Sequence, residues 1–402
     1  MLYGSNEEYK SLNQCAIEVN NTYKQSISKQ GIDQRFNTQS VRFIKSLFEE
    51  QLKNQITSQI SSELLNMFNR MLVKDSTKFD IHEQHKAKYP GSGGSASKAG
   101  MCIQLEFDLK NGAVSDLTIC PSTRQDSTDA KETKDKIEKD DLIIRDLGYF
   151  ALDVFEHIEK CEAFFLSRLE PRVLIYQKEN GNFTHLSYSE LYEHMKELKQ
   201  STIEINAFIG EKKKMPVRLI VRLLPEDAYN QRMRRINKLN QKKSRKTSDK
   251  YKEYARFSFY ITNIPFEKIS ATQIIDLYRL RWQIELVFKI WKSIFKLEKI
   301  GKMKLNRLLS LLYVKLLWIL INWEIVVNLK SVFHSVFQKT LSIYKSFQTI
   351  KDNFEKFRKE LKENKIRGEN LIIWMIEILS EKHWLEKRKN RIGYEKIVFM
   401  YL

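Results

Sequence analysis

Tyr278-Arg279-Leu280-Arg281-Trp282-Gln283-Ile284-Glu285-Leu286-Val287-Phe288-Lys289-Ile290-Trp291-Lys292 has the periodicity of a helix with two adjoining faces. At about 100° per residue, Tyr278, Arg281, Glu285 and Lys292 project within roughly 60° of one another. Leu277, Leu280, Ile284, Val287, Phe288 and Trp291 fill the neighbouring arc, which predicts a core face beside the polar stripe. A carboxylate set among cations and a phenol makes a poor core. It suits a metal ion held against a phosphate backbone. An amphipathic helix with ordinary surface charges is the alternative. Ser270-Ala271-Thr272-Gln273 is a capping box that predicts where the helix starts.

The spacing Y-x2-R-x3-E-x6-K, formed by Tyr278, Arg281, Glu285 and Lys292, resembles the signature of the insertion-sequence transposases with DDE chemistry, in the group often called the IS-four family. Thr262-Asn263-Ile264-Pro265 also resembles that family's approach to the helix. The resemblance covers residues from about 65 to 300 and is thin outside them. It implies that Tyr278, Arg281 and Lys292 hold the terminal phosphates of the transposon end. Arginine can do so bidentately and lysine as a point charge. Lys289 and Lys296 lie near the stripe and either extend it or are solvated.

Upstream, short apolar runs punctuate the chain. Met71-Leu72-Val73-Lys74 reads as a strand ending at Asp75-Ser76-Thr77, and residues 102–109 alternate with period two. Asn111-Gly112 is a hairpin signal, after which residues 113–119 alternate back. A charged helix over about 126–139 follows, then the strand Leu142-Ile143-Ile144-Arg145, a helix over about 149–160 and a strand over 163–166. Three antiparallel strands, helix, strand, helix, strand is the order of an RNase H-like (retroviral integrase-like) α/β core. In that fold the first and fourth strands are neighbours, so Asp75 and Asp146 would meet.

The expected organisation is a helical N-terminal region (1–65), a first part of the core (66–169), a strand-rich insertion (170–262), a core helix bearing the last acid (263–300) and a helical C-terminal region (301–402). Residues 1–65 are either a small DNA-binding module or a helical scaffold. Strands are expected at 172–176, 217–222 and 257–261, with a basic run over 232–246 between the last two. Arg232, Arg234 and Arg235 in that run are candidate contacts to a DNA backbone, unless the run is only a solvated face. The family carries an insertion at this point, in some members with a tryptophan that stacks a flipped base. Trp282, Trp291, Trp318, Trp323, Trp374 and Trp384 all lie outside 170–262, so a hairpin intermediate is implied only if a Tyr or Phe of that region takes the tryptophan's role.

Cutting and rejoining a phosphodiester needs stabilised attacking and leaving oxygens and a neutralised phosphate. Two magnesium ions held by carboxylates supply this. Asp75, Asp146 and Glu285 are the expected catalytic, metal-binding acids, with Mg2+ as cofactor and Mn2+ as a substitute. Asp75 and Asp126 both open an Asp-Ser-Thr, but Asp75 follows a strand, and Asp126 precedes a helix and reads as its N-cap. Asp140 and Asp141 precede the strand that Asp146 closes, and Asp146-Leu147-Gly148-Tyr149 resembles the family's D-x-G-Y.

Lysine and arginine number 69 against 50 acids, a formal charge of +19 that favours a polyanionic partner. Cys15, Cys102, Cys120 and Cys161 form no C-x-x-C pair and predict neither a zinc site nor a disulfide framework. His82 and His85 read as surface histidines, and Gly91–Gly94 lack the G-K-[ST] of a phosphate loop, so ATP is not implied. Residues 1–8 have no signal-peptide character. Residues 308–327 are apolar enough to imitate a membrane span, but Lys315 near the middle would cost about 2.5–3.5 kcal/mol there. A buried helix is expected, and no membrane.

These readings converge on a magnesium-dependent transposase of the bacterial cytoplasm, associated with the nucleoid. It would bind double-stranded DNA, both transposon ends and target, as a homodimer on DNA. A structure-specific nuclease on the same core, a catalytically inactive DNA-binding remnant and a membrane-bound basic protein are the rivals.

Overall fold

A computed structural model of the protein describes residues 11–55, 66–93, 96–337, 339–353, 373, 376–380 and 383–384. The chain opens with helices α1 (Leu12–Tyr23), α2 (Lys29–Arg35) and α3 (Thr38–Lys53). Next come β1 (Met71–Ile81), β2 (Ala99–Asp108), β3 (Val114–Pro121), α4 (Asp126–Glu132), β4 (Leu142–Arg145), α5 (Leu152–Lys160) and β5 (Phe164–Arg168), in the order expected from the alternation. The middle of the chain forms β6 (Ile175–Glu179), β7 (Asn182–His185), α6 (Tyr188–Glu197), β8 (Thr202–Ile209), β9 (Met215–Leu223), α7 (Glu226–Lys242), α8 (Asp249–Tyr254) and β10 (Phe257–Thr262). Helices α9 (Ala271–Arg279), α10 (Trp282–Ser293), α11 (Leu305–Phe337) and α12 (Ile343–Asp352) follow. Residues 1–8, Gly94, Ser95 and most of the chain beyond 353, all read above from the sequence, lie outside the described residues.

Contacts divide the chain into two compact units. The first, Asn66–Lys74 with Gln125–Arg281, is a mixed α/β layer. Its strand order is β1-β4-β5-β10-β9-β8-β6-β7. β1, β4 and β5 are parallel, with Met71↔Leu142 to Lys74↔Arg145 and Leu142↔Phe164 to Arg145↔Ser167 in register. Every residue of β4 is buried, as a parallel strand covered on both faces requires. From β5 onward the pairing turns antiparallel, beginning with Tyr260↔Arg168 and Thr262↔Leu166.

That pairing explains a difference from the expected organisation. Residues 170–262 do not form a core of their own but share one with the parallel strands, in which Leu72, Ile143 and Phe165 join Leu219, Phe257 and Phe259. Thr262 and Asn263 fasten the junction. Thr262 Oγ1 donates to Phe165 O at 2.6 Å, and Asn263 Oδ1 accepts from Phe165 N at 2.8 Å. Phe155 of α5 stacks on Phe165 at 4.6 Å. The strands expected near 175, 217 and 257 are present as β6, β9 and β10. β8 was legible in the alternation Ile203-Glu204-Ile205-Asn206, and α6 in its N-cap Ser187, which accepts from Glu190 N at 3.3 Å. The charged helix expected to reach 139 stops at Glu132 as α4.

The second unit comprises the described residues of Met1–Leu65, Asp75–Arg124 and Trp282–Leu402. β2 and β3 pair antiparallel from Met101↔Pro121 to Phe107↔Val114. Their connection is longer than the two-residue turn that Asn111-Gly112 suggested: Gly112 N donates to Asp108 O at 2.7 Å. Gly112 has φ +75°, and a Cβ there would stand 2.8 Å from the Val327 side chain. Trp323 Nε1 donates to Gly112 O at 2.7 Å, tying the turn to α11. Helix α11 is long and apolar enough to cross a membrane, yet 67% of its most apolar window is buried inside the protein. Lys315 is fully buried there, and its Nζ donates to Phe295 O at 3.1 Å. His85 is buried rather than on the surface, with Nε2 3.0 Å from Met303 O. None of the four cysteines, all among the described residues, is in a disulfide.

In the first unit Lys74 and Asp129 form an ion pair of 2.7 Å with side chains 0% and 1% exposed. Thr133 Oγ1 accepts a second bond from Lys74 Nζ at 3.2 Å. Removing one partner of such a pair leaves an uncompensated buried charge. Lys74→Met is expected to cost about 3–5 kcal/mol in urea unfolding, and Lys74→Met with Asp129→Leu to recover most of it. A single-variant loss below about 1 kcal/mol, the scale of an exposed pair, would contradict the assignment.

Candidate active site

Asp75 and Asp146 are each the residue after an aligned pair, because Lys74↔Arg145 is the last partnership between β1 and β4. The strand does not end at Asp75 as the sequence suggested. β1 runs on to Ile81, and only its pairing with β4 stops at Lys74. Asp75 is half-buried and its Oδ1 accepts from Ser76 N at 2.8 Å. Asp146 leaves β4 and opens a 3-10 turn over Leu147–Tyr149, with Tyr149 N donating to Asp146 O at 3.0 Å.

Tyr278 comes to Asp146 from α9, within the same unit. Its hydroxyl donates to Asp146 Oδ1 at 3.4 Å and its ring meets Tyr260 edge-on at 5.3 Å. Burial, then the Asp146 carboxylate, pushes the Tyr278 phenol well above its ordinary pKa, against the opposing charges of Arg281 and Arg168. The phenol therefore keeps its proton at any physiological pH and can donate this hydrogen bond. The Arg281 guanidinium lies 6.0 Å from the same ring and is buried.

Arg168 was missed in the sequence. It stands one position beyond Ser167, the β5 partner of Arg145, and so follows the same register that sets Asp146. Its place at the carboxyl end of a core strand was the available signal. Asp126 is not the N-cap of α4, since Gln125 takes that position and Asp126 is the first helical residue. A Cβ on Gly148 would stand 3.0 Å from Asp126 Oδ2, so this acid packs against the turn that follows Asp146.

The single helix expected through residues 278–292 is two. Leu280 N and Arg281 N donate to Leu277 O and Tyr278 O, at 3.0 and 3.2 Å, which tightens the chain into a 3-10 turn between α9 and α10. No glycine or proline marks this break. The two helices pack differently: α9 lies against β5 and β8 of the first unit, α10 against α12 of the second. The continuous polar stripe is therefore cut after Arg281. Glu285 and Lys292 remain on α10, above the buried face of Ile284, Val287, Phe288 and Trp291. Lys292 Nζ lies 3.3 Å from Lys78 O of β1 and 3.5 Å from Glu298. Lys289 sits over the Tyr344 ring at 5.2 Å, and Lys296, past the helix end, has φ +48°.

Carboxylate oxygens are the donors a hard divalent cation prefers, and Asp75 and Asp146 suit it in chemistry and register. Among the described residues no three His, Cys, Asp or Glu side chains form a ready-made metal cluster. Glu285 lies in the first turn of α10.

The basic run divides by environment. Arg232 donates to Ala255 O and Phe257 O at 2.9 and 2.7 Å, and burial lowers its pKa. Its guanidinium thus joins α7 to the start of β10. Arg234 and Arg235 are exposed.

Residues 67–321 match the family described as "Transposase DDE domain". Among similar proteins, the "Transposase for insertion sequence element IS1151" of Clostridium perfringens is 30% identical over 416 residues, covering 100% of this chain and 87% of that protein. The IS231F transposase of Bacillus thuringiensis subsp. israelensis is 34% identical over 341 residues, 81% of this chain and 72% of that protein. The IS231E transposase of Bacillus thuringiensis subsp. finitimus is 32% identical over 387 residues, 93% and 80%.

Arg232→Ala is expected to lower the melting temperature and leave the salt dependence of duplex binding nearly unchanged. Arg234→Ala with Arg235→Ala should do the reverse, flattening the slope of log K against log salt by about 2. Filter binding across a salt series, beside thermal melts, separates the two. A reversed pattern would show that Arg232 faces DNA.

Proposed function

The chain belongs to the DDE-domain transposases of insertion sequences, and from that premise we propose that Asp75, Asp146 and Glu285 are the carboxylates that hold its divalent metal. The protein is a DNA transposase, acting on the ends of an insertion sequence. Its domain implies an RNase H-like fold, and enzymes of this kind depend on a divalent metal. Magnesium is the proposed ion, with manganese as a substitute. The observation that carries the assignment is the register of β1 and β4, whose last pair, Lys74↔Arg145, immediately precedes Asp75 and Asp146.

Bound at these acids, the metal supplies charge neutralisation at the phosphate and at the attacking and leaving oxygens. The chain's own residues do the rest. Tyr278 steadies the Asp146 carboxylate through its hydroxyl. Arg281, Lys292 and the Tyr278 edge grip the terminal phosphates of the element and fix which bond is attacked. Water attacks phosphorus at the border, the bond to the 3′ oxygen breaks, and that oxygen leaves as a hydroxyl. The freed 3′ hydroxyl then attacks a target phosphodiester, forming one P–O bond as another breaks, so no nucleotide cofactor is consumed. Exposed Arg234 and Arg235 add backbone contacts. Two ends handled together call for two protomers, so the working form is a homodimer on DNA. Its place of action is the cytoplasm, at the nucleoid.

Asp75→Ala, Asp146→Ala and Glu285→Ala should each abolish metal-dependent cleavage while duplex binding stays within about twofold, as expected when binding rests on phosphate contacts. Cutting that survives in any one variant removes that acid from the site. Arg281→Ala leaves the acids in place and removes a charge-assisted contact of about 1.5–3 kcal/mol. Cleavage at a cognate end should then fall roughly ten- to a hundredfold more than random nicking of plasmid. Equal losses on the two substrates would favour a structure-specific nuclease.

A further inference from the structure

The first unit carries a second basic site, away from the proposed acids in sequence. An open groove of about 870 Å³ runs between the β5–β6 connection, the end of α7 and the start of α8. Arg172, Arg245, Lys246 and Lys250 line it, and all four are exposed. Glu170, bonded to Arg172 at 2.8 Å, is the carboxylate among the lining side chains. Buried Tyr188 and Tyr254 close its floor. We propose that this groove holds the phosphate backbone of target DNA.

Charge identifies the ligand class, since four cations around one carboxylate match a polyanion. The uncharged side chains identify the source. Asn240 Nδ2 donates to Thr247 Oγ1 at 2.6 Å, Ser248 Oγ accepts from Tyr251 N at 3.3 Å, and the Tyr254 hydroxyl donates to Leu169 O at 2.9 Å. These uncharged side chains are thus engaged within the fold, which leaves the exposed cations as the groove's outward contacts. What faces outward is charge, and phosphate contacts carry no sequence information. An element's own end must be recognised by sequence, whereas a target can be any duplex. The connection that presents the cations folds back on the end of α7: Arg245 N donates to Asn240 O at 3.0 Å, and Ser244 turns the chain with φ +48°.

This assignment rests on the transposase reading, and the test separates the two. Arg245→Gln, Lys246→Gln and Lys250→Gln are combined in the full chain with magnesium. One assay scores cleavage of a short duplex bearing the element's end. The other scores joining of a pre-cleaved end to plasmid over a range of plasmid concentrations and salt. End cleavage should stay within about twofold, half-maximal joining should need roughly tenfold more plasmid, and the salt slope of joining should flatten by about 2–3. Unchanged joining overturns the groove as a target site. A parallel loss of end cleavage also overturns it, because the groove would then hold the element's end. A wild-type protein that neither cleaves nor joins sinks the transposase reading itself. Should the triple variant melt early, Lys250→Gln alone, with an expected slope change of about 1, gives the same decision.

Discussion

Lys74 is a fully buried lysine, and the ion pair it makes with Asp129 sits at the end of the β1–β4 pairing, where the proposed site begins. Its neighbour in sequence is Asp75. A charge at that depth is tolerated only while its partner and hydrogen bonds are in place. Asp129 and Thr133 therefore hold the backbone of β1 at the position that Arg145 matches on β4. A slip of β1 by one residue would put Lys74 on the opposite face and strand the Asp129 carboxylate, so the pair penalises every other register. The pair Lys74↔Arg145, which Asp75 and Asp146 directly follow, is the register that this penalty protects; Arg168 stands one position past the β4–β5 pair Arg145↔Ser167.

The turn between α9 and α10 is a second constraint of a different kind. Tyr278 and Arg281 stay with the first unit, and Glu285 and Lys292 lie in the first and last turns of the helix that belongs to the second. A signature that is contiguous in sequence is thus served by two packing environments. Tyr278 is spent on Asp146 through its hydroxyl and on Tyr260 through its ring. Lys292 meets the backbone of β1 at Lys78. Tyr278 and Lys292 are thus each held by contacts within their own unit.

The excess of cations is also partitioned by burial. Arg232, Lys315 and Lys74 are drawn inward by carbonyls or by a carboxylate and add nothing to the field that DNA would meet. Arg172, Arg234, Arg235 and Lys250 remain in solvent, where charge steers a polyanion. Net charge by itself favours a polyanionic partner. The partition decides which surface receives it.

Much of this was legible in the sequence alone. The strand order from β1 to β5, the capping box at Ser270 and the buried character of α11 follow from periodicity and local hydrogen bonding, which neighbours along the chain determine. The spacing of Tyr278, Arg281, Glu285 and Lys292 points to the family without any tertiary contact. Tertiary structure alone decided the rest. It broke the helix after Arg279 where no glycine or proline signals a break, carried β1 six residues past Asp75, and merged residues 170–262 with the core through β10. It also turned Arg232 inward and brought the Tyr278 hydroxyl to Asp146. The physical reason is the same in each case. Periodicity reports which face of an element is apolar, but the partner that covers that face comes from a distant part of the chain.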